Sequence, residues 1–194
     1  MNAISSRAAL NSPLLANALA LLMQAMSWFG STFVNEASST FEAVRTYAHF
    51  SADDEYYFVK GGGLGWGMPA AVGIALHDPD RPVACFVGDG ASMYSPQALW
   101  SAVNASANVK FIIFNNQKYD ILMRVAKYLG FTRARASQFV GMTIDKPAVD
   151  FCALAETFSL PYWSADTISD LSSAVPLLFE HRGPAVLEVS ILGL

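Results

Sequence analysis

The chain has 194 residues, 53% of them hydrophobic and only 14% charged, with a formal net charge of −4. That length supports one domain with a sizeable core, and the apolar balance implies either a sheet well covered by helices or apolar surface awaiting a partner. The absence of a basic cluster excludes nucleic-acid binding by charge. From the amino terminus, Arg7 followed by Leu14-Leu15-Ala16 and Leu19-Ala20-Leu21-Leu22-Met23 has the outline of a secretory signal. Asn17 and Gln24 interrupt that apolar run, which is too polar to span a bilayer. Ser12-Pro13 instead opens a helix, an N-cap followed by proline in the first turn, over 13–26. A short strand over 31–34 leads through Asn35-Glu36-Ala37-Ser38-Ser39 into a helix over 40–49. Serines opening a helix are ordinary N-caps, and the same free amides form a ready anion site. Glu36 is either a buried structural carboxylate or faces a crevice, with the structural role favoured.

Asp53-Asp54-Glu55 reads as a solvated acidic loop. After Tyr56-Tyr57-Phe58, the glycines of 61–67 let the backbone lie against a flat ring or simply pack tightly under the following helix, 69–76. His77 sits beside the turn Asp78-Pro79-Asp80 and reads as a surface histidine. Val83-Ala84-Cys85-Phe86-Val87 and Val109-Lys110-Phe111-Ile112-Ile113-Phe114 are near-continuous apolar strands, as in a parallel sheet buried on both faces. Between them, Ala98, Leu99, Ala102 and Val103 repeat at helical spacing within 95–105. Strand, helix and strand make a βαβ unit, so Gly88-Asp89-Gly90 and Asn115-Asn116 reach the same edge of the sheet, where open α/β folds bind ligands.

A carboxylate, an amide oxygen and a main-chain carbonyl at that edge suit a hard cation shared with phosphate. Gly90 allows close approach, and the amides of Gly90, Ala91 and Ser92 can point at an anion. Gly-Asp-Gly is also a common turn and Asn-Asn a common strand end. Their coincidence at the two strand ends of one βαβ unit favours the cation reading.

These residues, with 24 others between Gly90 and Asn115, resemble the motif of thiamine-diphosphate-dependent enzymes. Phe33-Val34-Asn35-Glu36, the run from Lys60 through Gly67, Met93-Tyr94-Ser95 and Ala98-Leu99-Trp100 resemble the benzoylformate decarboxylase branch. The likeness covers roughly 13–190 and only the C-terminal, diphosphate-binding third of such enzymes. It implies a doubly wound, mainly parallel α/β fold (the thiamine-diphosphate-binding fold) in a single domain over 1–194, with the pyrimidine-binding and middle domains absent.

The resemblance also implies a site. Asp89, Asn116 and the main-chain oxygen of Lys118 would hold Mg²⁺. Ser38, Ser39, Gly88, Gly90, Ala91, Ser92 and Tyr119 would lie by the diphosphate. Gly62 and Gly63 would meet the aminopyrimidine, and Leu64 would prop the bent cofactor. Phe58, Ile121, Leu122 and Val125 form either a pocket for an aromatic or bulky substrate or plain core. The sequence departs from the family where Lys118 and Asp120 replace small or uncharged residues. Leu122 stands where pyruvate decarboxylases carry an acid, which argues against their mechanism here. His49, His77 and His181 match none of the family's catalytic histidines.

The loop over 130–145 holds Arg133 and Arg135 and reads as mobile or partner-contacting. A helix over 148–158, a strand over 161–163, a helix over 168–180 and a strand over 185–190 complete the scaffold. Cys85 and Cys152 make no metal spacing and fit a reducing cytoplasm. The resemblance leads to the expectation of a cofactor-anchoring small subunit of a two-chain decarboxylase or carboligase of 2-oxo acids, starting at its own Met1. Its partner would supply the activating glutamate on a pyrimidine-binding domain, in a hetero-oligomer of dimer or tetramer symmetry, without membrane or nucleic acid. The alternative is a non-catalytic binding or assembly module.

Overall fold

The computed structural model describes residues 13–47 and 55–191. The expectations for Arg7, Ser12, His49, Asp53 and Asp54 lie outside them. Six strands, β1 (Thr32–Glu36), β2 (Tyr56–Phe58), β3 (Val83–Gly88), β4 (Val109–Asn115), β5 (Tyr162–Ala165) and β6 (Ala185–Ser190), form one parallel sheet in the order β2-β1-β3-β4-β6-β5. Helices cover both faces, as the long apolar strands require.

Alternate residues of each strand feed two cores. Ala84, Phe86, Ile112, Phe114 and Leu187 face one side, covered by α1 (Pro13–Phe29), α2 (Phe41–Tyr47) and α9 (Ile168–Glu180). Cys85, Val87, Phe111, Ile113 and Val186 face the other, covered by α3 (Gly67–His77), α5 (Gln97–Asn104) and α8 (Phe151–Thr157). The doubly wound α/β expectation holds: β1 leads out through α2 on one face, and β3 leads out through α5 on the opposite face. The switch point therefore falls between β1 and β3.

Several boundaries differ from the sequence reading. Helix α1 runs three residues past the expected end at Met26, because Met26 is still buried and Trp28 and Phe29 continue the turn. Strand β2, only 3 residues long, was not expected; main-chain pairing to β1 makes it a strand. The loop over 130–145 carries the one-turn helix α7 (Thr132–Arg135), and its two arginines are exposed. α9 and β6 have the expected bounds. Thr167 and Asp170 close a capping box at the start of α9, which marks that helix end in the sequence.

Candidate active site

Four turns meet at the carboxyl edge around the switch point: those following β1, β2, β3 and β4. Parallel pairing sets Gly88 against Phe114, so the turns after β3 and β4 leave the sheet at the same level. Asp89 opens the one-turn helix α4 (Asp89–Ser92), all four of whose residues are buried. The Asp89 side chain is 3% exposed, and its Oδ2 has no hydrogen-bond partner among the described residues. Burial pushes its carboxyl up to about 6, against the pull of the main-chain amides of Gly90, Gln117 and Asn116. A carboxylate oxygen left this way is unfavourable by itself and is ordinarily matched by a cation.

The turn after β4 is built by its two asparagines. Asn115 Oδ1 accepts from the amide of Gln117 at 3.0 Å, and Asn116 Oδ1 accepts from the amide of Lys118 at 3.1 Å. The turn places Gln117 at φ +56, a conformation side chains rarely adopt. Asn115 Nδ2 also donates to Glu188 Oε1 at 2.6 Å, and Tyr162 Oη donates to Glu188 Oε2 at 2.5 Å. An opposing segment pins the same turn: Tyr119 N donates to Met142 O at 2.9 Å, and Ile144 N donates to Gln117 O at 2.7 Å. Tyr119 lies close against the turn after β3, since a Cβ at Gly90 would meet its ring at 2.5 Å and Ile144 at 3.0 Å. The glycine there is required by that approach.

Ser92 Oγ donates to the carbonyl of Asp89 at 2.7 Å, closing the turn. Ser38 and Ser39 sit in the turn between β1 and α2, Ser38 exposed and Ser39 half-buried. Along the glycine run, Gly62 and Gly63 are exposed, Gly62 has φ +70, and Leu64 packs on the second core with its remaining surface open. Glu36, buried at the end of β1, accepts hydrogen bonds from the amides of Gly65, Trp66 (3.3 Å) and Gly67 (2.5 Å). The structural reading of Glu36 is thus the one its contacts support.

The pocket candidates lie apart. Phe58 ends the edge strand β2, its ring against those of Phe41 (6.1 Å) and Tyr56 (5.8 Å). Ile121 and Leu122 lie on the first turn of α6 (Asp120–Tyr128), which follows β4. Three strand spacings separate β2 from β4, about 14 Å. They lie at the carboxyl edge on either side of β1 and β3, and Leu122 is exposed.

The sequence reading missed two features. Asp120 is buried, pairs with Arg124 one helical turn on, and faces Lys118 Nζ at 3.8 Å. The i, i+4 spacing of Asp120 and Arg124 was the available signal. The pairing of 117–119 with 142–144 had none, because it depends on tertiary placement. Among the described residues, no group of three His, Cys, Asp or Glu side chains could hold a metal ion. A cation at Asp89 would rely on amide, main-chain and phosphate oxygens beside a single carboxylate, which suits Mg²⁺ better than a transition metal.

A parallel α/β sheet with a carboxylate oxygen unpartnered among the described residues, an Asn-Asn turn and a glycine run at its switch point has the architecture of a ligand-binding α/β domain. The chain belongs to the thiamine pyrophosphate enzyme family, whose C-terminal TPP binding domain model matches residues 38–189. It is 34% identical over 157 residues to a benzoylformate decarboxylase of Pseudomonas aeruginosa, covering 81% of this chain and 28% of that protein. It is 29% identical over 130 residues to the acetolactate synthase isozyme 1 large subunit of Escherichia coli, covering 67% of this chain and 22% of that one. Among solved structures, a benzoylformate decarboxylase from Polynucleobacter necessarius superposes with a TM-score of 0.81 at 27% identity, over 90% of this chain and 32% of that chain. A thiamine diphosphate-dependent 4-hydroxybenzoylformate decarboxylase of Rhodococcus jostii superposes with a TM-score of 0.77 at 32% identity, with the same coverage. The chain thus spans less than a third of the length of these relatives.

Proposed function

We propose that this chain anchors thiamine diphosphate and Mg²⁺ for a decarboxylase or carboligase of 2-oxo acids bearing an aromatic or bulky group. It works with a second polypeptide that supplies the pyrimidine-binding domain, in a cytoplasmic hetero-oligomer. The observation that carries this reading is the buried Asp89 Oδ2, without a hydrogen-bond partner among the described residues, at the switch point. When bound, the cofactor would supply a nucleophilic carbon and an electron sink for the loss of carbon dioxide from a 2-oxo acid.

This chain's residues bind and orient. Asp89, the remaining lone pair of Asn116 Oδ1 and the carbonyl of Lys118 would hold the metal. The amides of Gly90, Ala91 and Ser92, with Ser38, Ser39 and Tyr119 nearby, would face the diphosphate. Gly62 and Gly63 leave room for the aminopyrimidine, and Leu64 would prop the cofactor's bend. Asp89→Ala should remove most Mg²⁺-dependent cofactor binding, because the remaining neutral ligands cannot offset the diphosphate's charge. Titration calorimetry on the variant checks this, and unchanged affinity would sink the assignment.

The substrate class is proposed from Phe58, Ile121 and Leu122 as apolar residues at the carboxyl edge, on either side of β1 and β3. One apolar group is worth about 1–3 kcal/mol, so aryl or branched 2-oxo acids should be preferred over pyruvate in a graded way. Competition between the two substrate types on the assembled enzyme decides it, and a preference for pyruvate defeats it. The non-catalytic reading draws on one observation: Glu36 and Glu188 are both committed to bonds within the fold. Activity on reconstitution with a pyrimidine-binding polypeptide separates the two readings.

A further inference from the structure

Glu36 stands outside every role given to the cofactor site so far, yet it holds that site's glycine run in place. It closes β1 with its side chain 3% exposed. Its Oε1 accepts the amides of Gly65 and Trp66, and its Oε2 accepts the amide of Gly67. Gly67 is the first residue of α3, and Trp66 at the N-cap offers no side-chain cap. A carboxylate from another strand therefore satisfies the free amides that open α3, with the sign the helix dipole favours.

The fit leaves no slack. A Cβ on Gly67 would lie 2.7 Å from Glu36 Oε2 and 2.8 Å from Glu36 Cβ, so only glycine seats the carboxylate. One residue pair back, Gly65 holds φ +92, and a Cβ there would meet Tyr94 Cβ at 2.9 Å. The loop is thus wedged between Glu36 on β1 and Tyr94 just beyond the turn that follows β3. Leu64 and Gly62 hang immediately upstream of this clamp. Burial raises the Glu36 carboxyl, and the amides of Gly67, Gly65 and Trp66 oppose that rise.

We propose that Glu36 is a positioning residue: by clamping the amides of Gly65, Trp66 and Gly67, it sets where Leu64 and Gly62 meet the ring half of thiamine diphosphate, without touching the diphosphate end. This rests on the cofactor reading above. The two ends of the ligand make it testable. Inorganic pyrophosphate with Mg²⁺ needs the turns after β1, β3 and β4 and not the glycine run, whereas thiamine diphosphate with Mg²⁺ needs both.

In the full chain, Glu36→Gln keeps the shape but turns one acceptor into a donor facing an amide. Hydrogen exchange at the amides of 65–67 should quicken while β3 and β4 stay protected. By calorimetry, affinity for thiamine diphosphate should fall about tenfold with pyrophosphate affinity nearly unchanged. Glu36→Asp, which keeps the charge, should recover part of that loss. Gly67→Ala attacks the same clamp from the other side and should reproduce the selective loss, which keeps the test open if Glu36→Gln does not fold. Equal affinity of the variants and wild type for thiamine diphosphate would overturn the proposal, and so would equal loss of both ligands. Wild-type protein that binds neither ligand even with the pyrimidine-binding polypeptide present would overturn the cofactor reading itself, and this inference with it.

Discussion

Lys110 is fully buried in β4, and its Nζ donates to the carbonyls of His181 at 2.6 Å and Gly183 at 2.7 Å. Lys110 was read within a near-continuous apolar strand, and its acceptors lie 71 and 73 residues further on. No local pattern reveals such a bond. Burial lowers its ammonium from the usual 10.5 to about 8. Below that value both folded and unfolded chains carry the proton, and the folded chain bears the full burial cost. Between about 8 and 10.5 the folded chain releases the proton first, so the unfolded chain binds more protons and stability rises with pH. Measured by denaturant unfolding from about pH 7 to about pH 10, the wild type should gain up to about 3 kcal/mol relative to Lys110→Met. A flat difference across that range would mean that the two carbonyls hold the proton against burial. Asp89 and Asn116, by contrast, were legible as a pair, because each ends an apolar strand of one βαβ unit and parallel strands end on one edge.

At the scale of elements, β3, β4, β6 and α9 were readable because burial on both faces, or a capping box, writes itself into local sequence. The capping box can be tested directly. Thr167 accepts from the amide of Asp170, and Asp170 Oδ2 accepts from the amide of Thr167 at 2.9 Å. Thr167→Ala should destabilise the fold by about 1 kcal/mol, with Thr167→Ser nearly neutral, both read from chemical denaturation. An unchanged midpoint for Thr167→Ala would show that packing alone fixes the start of α9. Helix α6 was not read as a helix, although its apolar residues fall at helical spacing. Of its nine residues only Asp120 and Ala126 are buried, so that spacing does not mark a core face. Strand β2 escaped for a related reason: three half-exposed residues carry no period, and only pairing to β1 makes them a strand.

The whole molecule carries a mismatch between its surface and its chemistry. Exposed apolar side chains remain on two sides: Trp28 and Leu177 on the α1 and α9 face, and Leu76, Met93, Tyr94 and Trp100 around α3 and α5. Contiguous apolar surface marks protein contacts, and these side chains are the candidates for one. The chain has six glutamates, and the family resemblance requires one to activate the aminopyrimidine at its far ring nitrogen. Glu36 is held by three amides and Glu188 by Asn115 and Tyr162. Glu55 accepts from Thr32 and faces Arg81 at 3.6 Å, beside the amino end of β1. Glu42 lies on α2, Glu156 on α8 and Glu180 at the end of α9. None is placed for that task, and a cofactor seated on this edge alone would keep one apolar side in water. The purified 194-residue chain should therefore self-associate and show no decarboxylation of any 2-oxo acid. Activity should emerge on mixing with a polypeptide that carries a pyrimidine-binding domain, followed by carbon dioxide release and by analytical ultracentrifugation of the mixture. Carbon dioxide release by the rigorously pure chain would refute this, and would place the activating carboxylate on one of these six glutamates through a rearrangement of the fold described here.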